Sequence, residues 1–350
     1  MLLDLRALVS RRATLGGLIA GAFGSGTARA AAPAEHGAHE GANRTVGRVD
    51  HAKNGFDPSA LLTDFDYGAV STDPDGRTVR EWVVTAVDRE IEVAPGIAFP
   101  AWTYNGRVPG PSFRCAEGER LRFVFQNGGS HPHSMHFHGI HSWRMDGVPG
   151  AGVIAPGEEY VYEFDARPFG CHLYHCHALP LKRHIHRGMY GAFVIDPDPA
   201  RHPAEPGLAV ARRHGTPEHA RWQEFIMVMN GFDTNFDDEN EIYAVNSIPF
   251  AYVDAPVRVA RERPVRIYLV NVTEFDPINS FHLHGNFFDF YDHGTTLQPT
   301  HRNIDTVMLC QGQRGILEFG YAEHEPGLYM FHAHQSEFAE LGWMSHVEVT

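Results

Sequence analysis

The sequence is short of basic residues, of cysteine and, beyond its first 30 residues, of any apolar run long enough to span a membrane. Its 29 Lys and Arg face 43 Asp and Glu, a net charge of -14, and this surplus of acid excludes the basic face that nucleic-acid phosphates require. No long amphipathic helix pattern is present either. Frequent Gly (35) and Pro (23) instead favour many short strands joined by turns.

The first 30 residues predict an export signal. Arg11 and Arg12 form a motif close to a twin-arginine signal, residues 15–23 are apolar and rich in Gly, and residues 28–30 fit a small-x-small cleavage pattern. The apolar run is too short for a membrane anchor. We therefore expect export by the twin-arginine route into the periplasm or out of the cell, without a membrane span.

The rest of the chain divides by composition. Residues 31–74 predict an N-terminal arm and an irregular segment, and residues 201–220 predict a linker. Residues 75–200 and 221–350 consist of short strand-like runs bounded by turn residues. The second block repeats the motifs of the first in the same order, which indicates a duplicated β-sandwich domain.

Histidine is the over-represented residue, with 24 copies, and it is the commonest metal ligand in proteins. Residues i and i+2 of a strand point to the same face, so each His-x-His motif presents two imidazoles side by side. Two motifs in each repeat, at matching positions, indicate more than one metal ion. The four pairs are His136 and His138, His175 and His177, His282 and His284, and His332 and His334.

Cys176 stands between two of these histidines, His175 and His177. Alternation along a strand sends its sulfur to the face opposite the imidazoles, so one strand is expected to touch two metal centres. If Cys176 binds metal, the remaining cysteines allow at most one disulfide, of a pairing that the sequence leaves open. These are Cys115, Cys171 and Cys310.

A thiolate, two imidazoles and a distant thioether form the ligand set of a blue-copper site. His133 lies upstream of the first His-x-His pair, and His184 and Met189 follow Cys176. We expect these four residues to form such a site. His186 is a rival of His184, and the sequence alone does not decide between them.

Residues 133–139, His-Ser-Met-His-Phe-His-Gly, resemble the His-x-x-His-x-His-Gly motif of the multicopper oxidases, and residues 175–177 resemble the family's His-Cys-His. Residues 184–191 resemble the His and Met ligand segment of the related copper nitrite reductases. The resemblance covers residues 75–350 and is strongest to the two-domain, laccase-like branch. It implies an all-β fold of two cupredoxin-like Greek-key β-sandwich domains.

The resemblance also implies about four copper ions per chain. His133, Cys176, His184 and Met189 would bind a type 1 copper, and the eight paired histidines would bind a trinuclear type 2 and type 3 cluster. The second repeat departs from the pattern: Asn279 stands where the first type 1 His is expected, and no His occurs between residues 335 and 343. Ala333 replaces the Cys. The second domain is therefore expected to keep only cluster ligands.

The activity that the resemblance implies is one-electron oxidation of a small reducing substrate, coupled to reduction of dioxygen to water. Phenols, aromatic amines, cuprous ion and small redox proteins all remain possible reductants. Asp146, in an Asp-Gly-Val-Pro segment like that of the family, and Glu337, shortly after His334, are the candidate proton donors.

Each domain supplies half of the cluster ligands, and the family's two-domain members complete the cluster between subunits. We therefore expect a head-to-tail homotrimer, because a heterologous contact must close into a ring or grow without limit. One alternative is a copper nitrite reductase, which uses an Asp where His136 stands and lacks a counterpart of His177. The other is a non-catalytic copper-binding protein, which has no need of Cys176.

Overall fold

The computed structural model describes residues 47–350, so the expected export signal and the first part of the arm lie outside the described residues. The strands of the first half are β1 (Phe65–Asp66), β2 (Ala69–Thr72), β3 (Thr78–Ala94), β4 (Ile97–Tyr104), β5 (Ser112–Ala116), β6 (Arg120–Asn127), β7 (His136–Phe137), β8 (Glu159–Asp165), β9 (Gly170–His175) and β10 (Tyr190–Asp196).

The strands of the second half are β11 (Gln223–Phe232), β12 (Ile242–Val245), β13 (Val257–Val259), β14 (Val265–Asn271), β15 (Ile278–Leu283), β16 (Phe288–Asp292), β17 (His301–Ile304), β18 (Thr306–Cys310), β19 (Arg314–Phe319), β20 (Gly327–His332) and β21 (Met344–Val349). Helices are short: α1 (His51–Asn54), α2 (Pro58–Leu61), α3 (Leu181–His186), α4 (Pro206–Arg212), α5 (Ala251–Asp254) and α6 (Ser336–Glu340). Three 3₁₀ turns span Trp143–Met145, Pro199–Arg201 and His219–Arg221.

Each half is a sandwich of two sheets. The first half pairs a sheet of order β1-β5-β10-β9-β7 with one of order β2-β3-β6-β8, in which β4 also pairs with β3. The second half pairs β12-β11-β14-β19-β16-β17 with β13-β21-β20-β15-β18. Strands distant in sequence lie in parallel next to each other, such as β3 with β6 and β11 with β14, which requires Greek-key crossovers. The expected all-β fold of two cupredoxin-like sandwiches is confirmed.

Alternating burial explains why the segments form strands. In β6, Leu121, Phe123 and Phe125 are buried while the residues between them are more accessible, so one face enters the sandwich core. Parts of the segments expected to be irregular are ordered: β1 and β2 join the two sheets of the first half, and α4 lies in the expected linker. The domain boundaries themselves stay predictions.

The two halves share a third apolar core between their facing sheets. It joins Leu173 and Val194 of the first half to Ile226, Val228 and Val270 of the second half. All four cysteines of the chain lie in the described range and all are free, Cys310 being exposed and the other three buried. Over residues 47–350, the helices are too short and too polar to cross a membrane.

A buried ion network also ties the halves together. Arg114 of β5 contacts Asp196 of β10 and Glu224 of β11, and Arg266 of β14 contacts the same Glu224 and Glu318 of β19. Each guanidinium is 1% exposed. Charges at this depth are tolerated only when they are paired and hydrogen-bonded, so removing one partner leaves the others uncompensated.

Replacing Glu224 should therefore destabilise the whole chain. Burial alone raises the pKa of Glu224, but Arg114, His219 and Arg266 outweigh burial and hold the pKa well below its ordinary value. At neutral pH, Glu224→Gln is expected to cost about 3–5 kcal/mol of unfolding free energy. The loss should shrink as the pH falls through the folded-state pKa of Glu224, because the wild-type carboxylate is then protonated as well.

Urea unfolding at neutral and acidic pH measures both effects. Arg258→Ala is the control, since Arg258 is 84% exposed in its pair with Glu348 and its loss should cost less than about 1 kcal/mol. Equal stability losses in Glu224→Gln and Arg258→Ala would contradict the role given to the network.

Candidate metal centres

The first candidate centre is a buried group of one thiol and two imidazoles. His133 lies in the loop before β7, Cys176 directly follows β9, and His184 lies on α3. Cys176 Sγ is 3.1 Å from His184 Nδ1 and 3.9 Å from His133 Nδ1, and the two Nδ1 atoms are 3.2 Å apart. Three donor atoms at about 2.0–2.3 Å around one ion would have separations of this size.

Backbone hydrogen bonds hold this group in place. The amide of Cys176 donates to the carbonyl of Met189, and the amide of Met189 donates to the carbonyl of His184, at 3.0 and 3.2 Å. Met189 is fully buried within the same core as Cys176. His186 is held elsewhere, because its Nε2 accepts the amide hydrogen of Asp233 at 2.9 Å. The structure therefore places His184, and not the rival His186, beside Cys176.

The electrostatics of the group fit a soft metal cation. Burial raises the pKa of the Cys176 thiol to about 11, so the thiolate needs a cation beside it, and lowers the pKa of His133 to about 3 and of His184 to about 4. The imidazoles are therefore neutral donors. The Ser134 amide also donates to Cys176 Sγ at 3.3 Å, which stabilises negative charge on sulfur. One thiolate and two imidazoles are donors that suit copper, so the residues fit that metal.

The second candidate centre is the first set of paired histidines. His136 of β7 lies opposite His175 of β9 in the strand register, and His138 and His177 follow these strands. His175 Nδ1 lies 2.9 Å from the Cys176 carbonyl and must donate to it, which leaves Nε2 as a lone-pair donor. That Nε2 is 3.1 Å from Nε2 of His138.

The second set repeats this geometry in the other half. His282 of β15 lies opposite His332 of β20, and His332 Nδ1 donates to the Ala333 carbonyl. Its Nε2 is 2.8 Å from Nε2 of His284. His334 completes the set, with its ring centroid 5.2 Å from that of His282. Imidazole nitrogens that converge on one space in this way are suited to share a metal cation.

A matching hydrogen bond aligns the last histidine of each set. Ser134 Oγ accepts the amide hydrogen of His177 at 3.0 Å, and Ser280 Oγ accepts that of His334 at 2.8 Å.

The second half has no counterpart of the Cys176 thiol. Ala333 occupies the corresponding position and is fully buried in the core of that half. Asn279, also buried, donates its side-chain amide to Thr273 Oγ1.

The two histidine sets stay apart within one chain. Over residues 47–350, each close group of donor atoms draws its paired histidines from one set alone. A cavity of about 300 Å³ at the first set is also lined by Val272, Gln311 and Gly312 of the second half, and its lining contains no histidine of the second set. The second set is more open, with His284 and His334 exposed.

The two candidate acids differ in position. The Asp146 carbonyl accepts a hydrogen bond from His136 Nδ1 at 2.7 Å, and its carboxylate oxygen Oδ1 is 3.3 Å from the same nitrogen. Asp146 therefore lies at the first histidine set, as expected. Glu337 is exposed on α6, and no hydrogen bond or ion pair joins its carboxylate to the second set among the described residues.

Sequence reasoning missed two side chains that contact these centres. Arg314 of β19 crosses from the second half and donates to His138 Nδ1 at 3.3 Å. Trp102 of β4 packs its ring against His133 and His184, with centroid distances of 5.4 and 4.7 Å. Neither residue is a usual metal ligand, and both reach the centres through tertiary packing, so no local spacing marked them.

Comparison with known proteins gives a family for this arrangement. Family models described as multicopper oxidase match residues 86–200 and 223–350. A solved multicopper oxidase structure is 51% identical to the chain, covers 87% of it and 100% of its own chain, and superimposes with a TM-score of 0.79. The chain belongs to the multicopper oxidase family. Membership supports copper as the metal and oxidation–reduction as the class of chemistry.

Other relatives of this multicopper oxidase have different described activities. The copper-containing nitrite reductase of Neisseria meningitidis serogroup A is 27% identical over 253 residues, which cover 67% of this chain and 60% of the reductase. Copper resistance protein A of Escherichia coli is 39% identical over 117 residues, which cover 33% of this chain and 18% of that protein. The chain thus spans less than two thirds of the length of these curated relatives.

The low pKa values of the buried histidines make the metal-free protein sensitive to acid. Burial lowers the pKa of His175 and of His184 to about 4 and that of His133 to about 3, whereas a histidine in an unfolded chain has a pKa of about 6.5. Below about pH 6.5, these histidines therefore take up protons when the chain unfolds. We expect the unfolding free energy of metal-free protein to fall from about pH 6.5 toward about pH 4.

Denaturant unfolding of chelator-treated protein across this range is the measurement. His184→Leu removes one titrating group and should reduce the slope by up to about 1.4 kcal/mol per pH unit. His301→Leu, at an exposed position on β17, is the matched control and should leave the slope unchanged. A stability that does not vary over this pH range would refute the neutral state of the buried imidazoles.

Proposed function

We propose that the protein is a laccase-like oxidase that couples one-electron oxidation of a small reductant to the four-electron reduction of dioxygen to water. The observation that carries the proposal is the position of Cys176, whose sulfur joins one buried donor group while its neighbours His175 and His177 belong to another. A copper-storage protein would gain nothing from such a connection between two centres.

When bound, copper would supply a one-electron acceptor at the first centre and a dioxygen-reducing trinuclear cluster at the paired histidines. This amounts to about four copper ions per chain. The chain's own part is to connect and orient the two centres. His175 and His177 are covalent neighbours of Cys176, so the path between the centres is short. The carbonyls of Cys176 and Asp146 hold the Nδ1 atoms of His175 and His136 and thereby aim their Nε2 atoms.

Asp146 is the residue that we propose for proton delivery. Its carboxylate lies beside His136 and is half-buried, so it can take a proton from solvent and hold it at the first histidine set. Reduction of dioxygen to water consumes protons, which gives this carboxylate a task. Glu337, exposed on α6, remains a weaker candidate for the second set.

The number and placement of the histidines favour an oxidase over a nitrite reductase, the activity by which several relatives are named. His136 occupies the position at which the resemblance places an Asp in the reductases, and His177 has no counterpart there. Both imidazoles approach the other members of the first set, with ring centroids of His136 and His177 5.0 Å apart. A mononuclear catalytic copper would leave most of these imidazoles without a task.

We further propose that the cluster forms between subunits of a homotrimer. The separation of the two histidine sets within one chain supports this arrangement. Exposed apolar side chains on or beside the segments of both sets are compatible with this arrangement, since apolar surface left exposed can mark an interface. They are Ile140, Trp143 and Leu179 near the first set, and Ile278, Phe287, Met308 and Leu328 near the second set. Export by the twin-arginine route to the periplasm or beyond is proposed from the N-terminal residues.

The first test of the function is Cys176→Ser. The wild-type protein loaded with copper should show an intense blue absorption and consume oxygen with hydroquinone as reductant. Cys176→Ser should lose the absorption and reduce oxygen uptake by about two orders of magnitude or more, equivalent to at least about 2.7 kcal/mol of barrier. The Cys310→Ser control, at an exposed cysteine, should stay blue.

Nitrite supplied in place of oxygen separates the alternatives. Rapid nitrite reduction by the wild type, with no oxygen uptake under any reductant, would favour the reductase. Copper bound in variable amounts without blue colour would favour the storage protein.

The second test is complementation between two inactive variants. His136→Ala damages the first set and His284→Ala the second, so each variant alone should be inactive. In a mixed head-to-tail ring, about a quarter of the contacts should join two undamaged sets, if mixing is random. Oxygen uptake of the refolded mixture should therefore recover to about that fraction of the wild type. A wild-type protein that is monomeric, copper-loaded and fully active would refute the shared cluster.

A further inference from the structure

The candidate copper ligands of the first centre are shielded from solvent. His133 is 1% exposed, His184 is 2% exposed, and Cys176 and Met189 are fully buried. A reductant in solution cannot touch any of these side chains. Under the proposed function, an electron must therefore cross at least one further residue before it reaches the group.

Trp102 lies between this group and the surface. Its ring packs against His184 at a centroid distance of 4.7 Å and against His133 at 5.4 Å, and it is itself 6% exposed. The backbone amide of Trp102 donates to the Arg187 carbonyl at 2.9 Å, in the segment that carries His184 and Met189. The indole is therefore fixed relative to the proposed ligands by both its ring and its backbone.

The outer side of Trp102 meets more accessible groups. The exposed ring of His131 packs against the indole at a tilt of 39°, with a centroid distance of 4.5 Å, and the Arg187 guanidinium lies 4.9 Å from the indole centroid. The same guanidinium lies 5.1 Å from the ring of Phe236, which is 48% exposed. These three residues, His131, Arg187 and Phe236, form a cationic and aromatic outer surface over Trp102.

We propose that Trp102 is the electron-entry residue, which connects a reductant bound at this outer surface to the centre formed by His133, Cys176 and His184. The proposal rests on the proposed function. In each transfer the reductant would lose one electron and a cupric ion held by His133, Cys176 and His184 would gain it, and no atom would be transferred through the indole. Since the Arg187 cation disfavours positive charge on the ring, Trp102 acts as a bridge between donor and acceptor and is not itself oxidised.

Anaerobic stopped-flow bleaching of the blue absorption measures electron entry directly. With ferrocyanide and with hydroquinone as reductants, Trp102→Leu should bleach at least about fivefold more slowly than the wild type, about 1 kcal/mol of barrier. Trp102→Phe keeps an aromatic ring beside His131 and His184 and should bleach at an intermediate rate. The intensity of the blue absorption, the copper content and the potential of the blue copper should stay close to wild type in both variants.

Reoxidation provides the control within each variant. Fully reduced protein mixed with dioxygen uses the cluster and the Cys176 connection but not the entry residue, so its rate should be unchanged. Bleaching of Trp102→Leu at the wild-type rate would overturn the role of Trp102, as would slowed reoxidation that matches the slowed bleaching. If Trp102→Leu does not fold, Trp102→Phe takes its place in the test. Bleaching of Trp102→Phe at the wild-type rate would then overturn the role of Trp102. A wild-type protein without blue absorption would instead overturn the proposed function on which this role rests.

Discussion

The side-chain alternation at the end of β9 is the constraint on which the candidate centres depend. His175 pairs with His136 across the strand register, and the following residue, Cys176, turns its sulfur into the opposite group with His133 and His184. A shift of one residue in this register would exchange the faces and separate each donor from its partners. On its other side, β9 pairs along its whole length with β10, a buried strand of seven residues, and this pairing opposes such a shift.

The duplicated architecture shows which parts of this arrangement are separable. Both halves keep the strand register between their histidines and the serine that aligns the last one, Ser134 or Ser280. The second half has lost the sulfur, and Ala333 fills its place with apolar packing. A histidine set can therefore persist without a thiol group beside it, because the two depend on opposite faces of the same strand.

Much of the fold and of the donor inventory could be predicted from local sequence patterns. Strand periodicity and repeated motifs indicated two sandwiches, and the spacing around Cys176 indicated which residues would meet. The choice between His184 and His186 could not be made in this way, since it depends on Asp233 of the second half, whose amide engages His186. The roles of Trp102 and Arg314 could not be predicted for the same reason, because they depend on contacts between segments distant in sequence.

The way the halves are joined bears on how the two histidine sets can meet. A chain could in principle close like a hinge and bring its own sets together. Such a motion would have to open the shared apolar core and separate Arg114 of the first half from Glu224 of the second half. Under the proposed homotrimer, association with a second copy would require no such disruption, because it would cover apolar side chains that are already exposed, and any metal bound by both sets would further stabilise the contact.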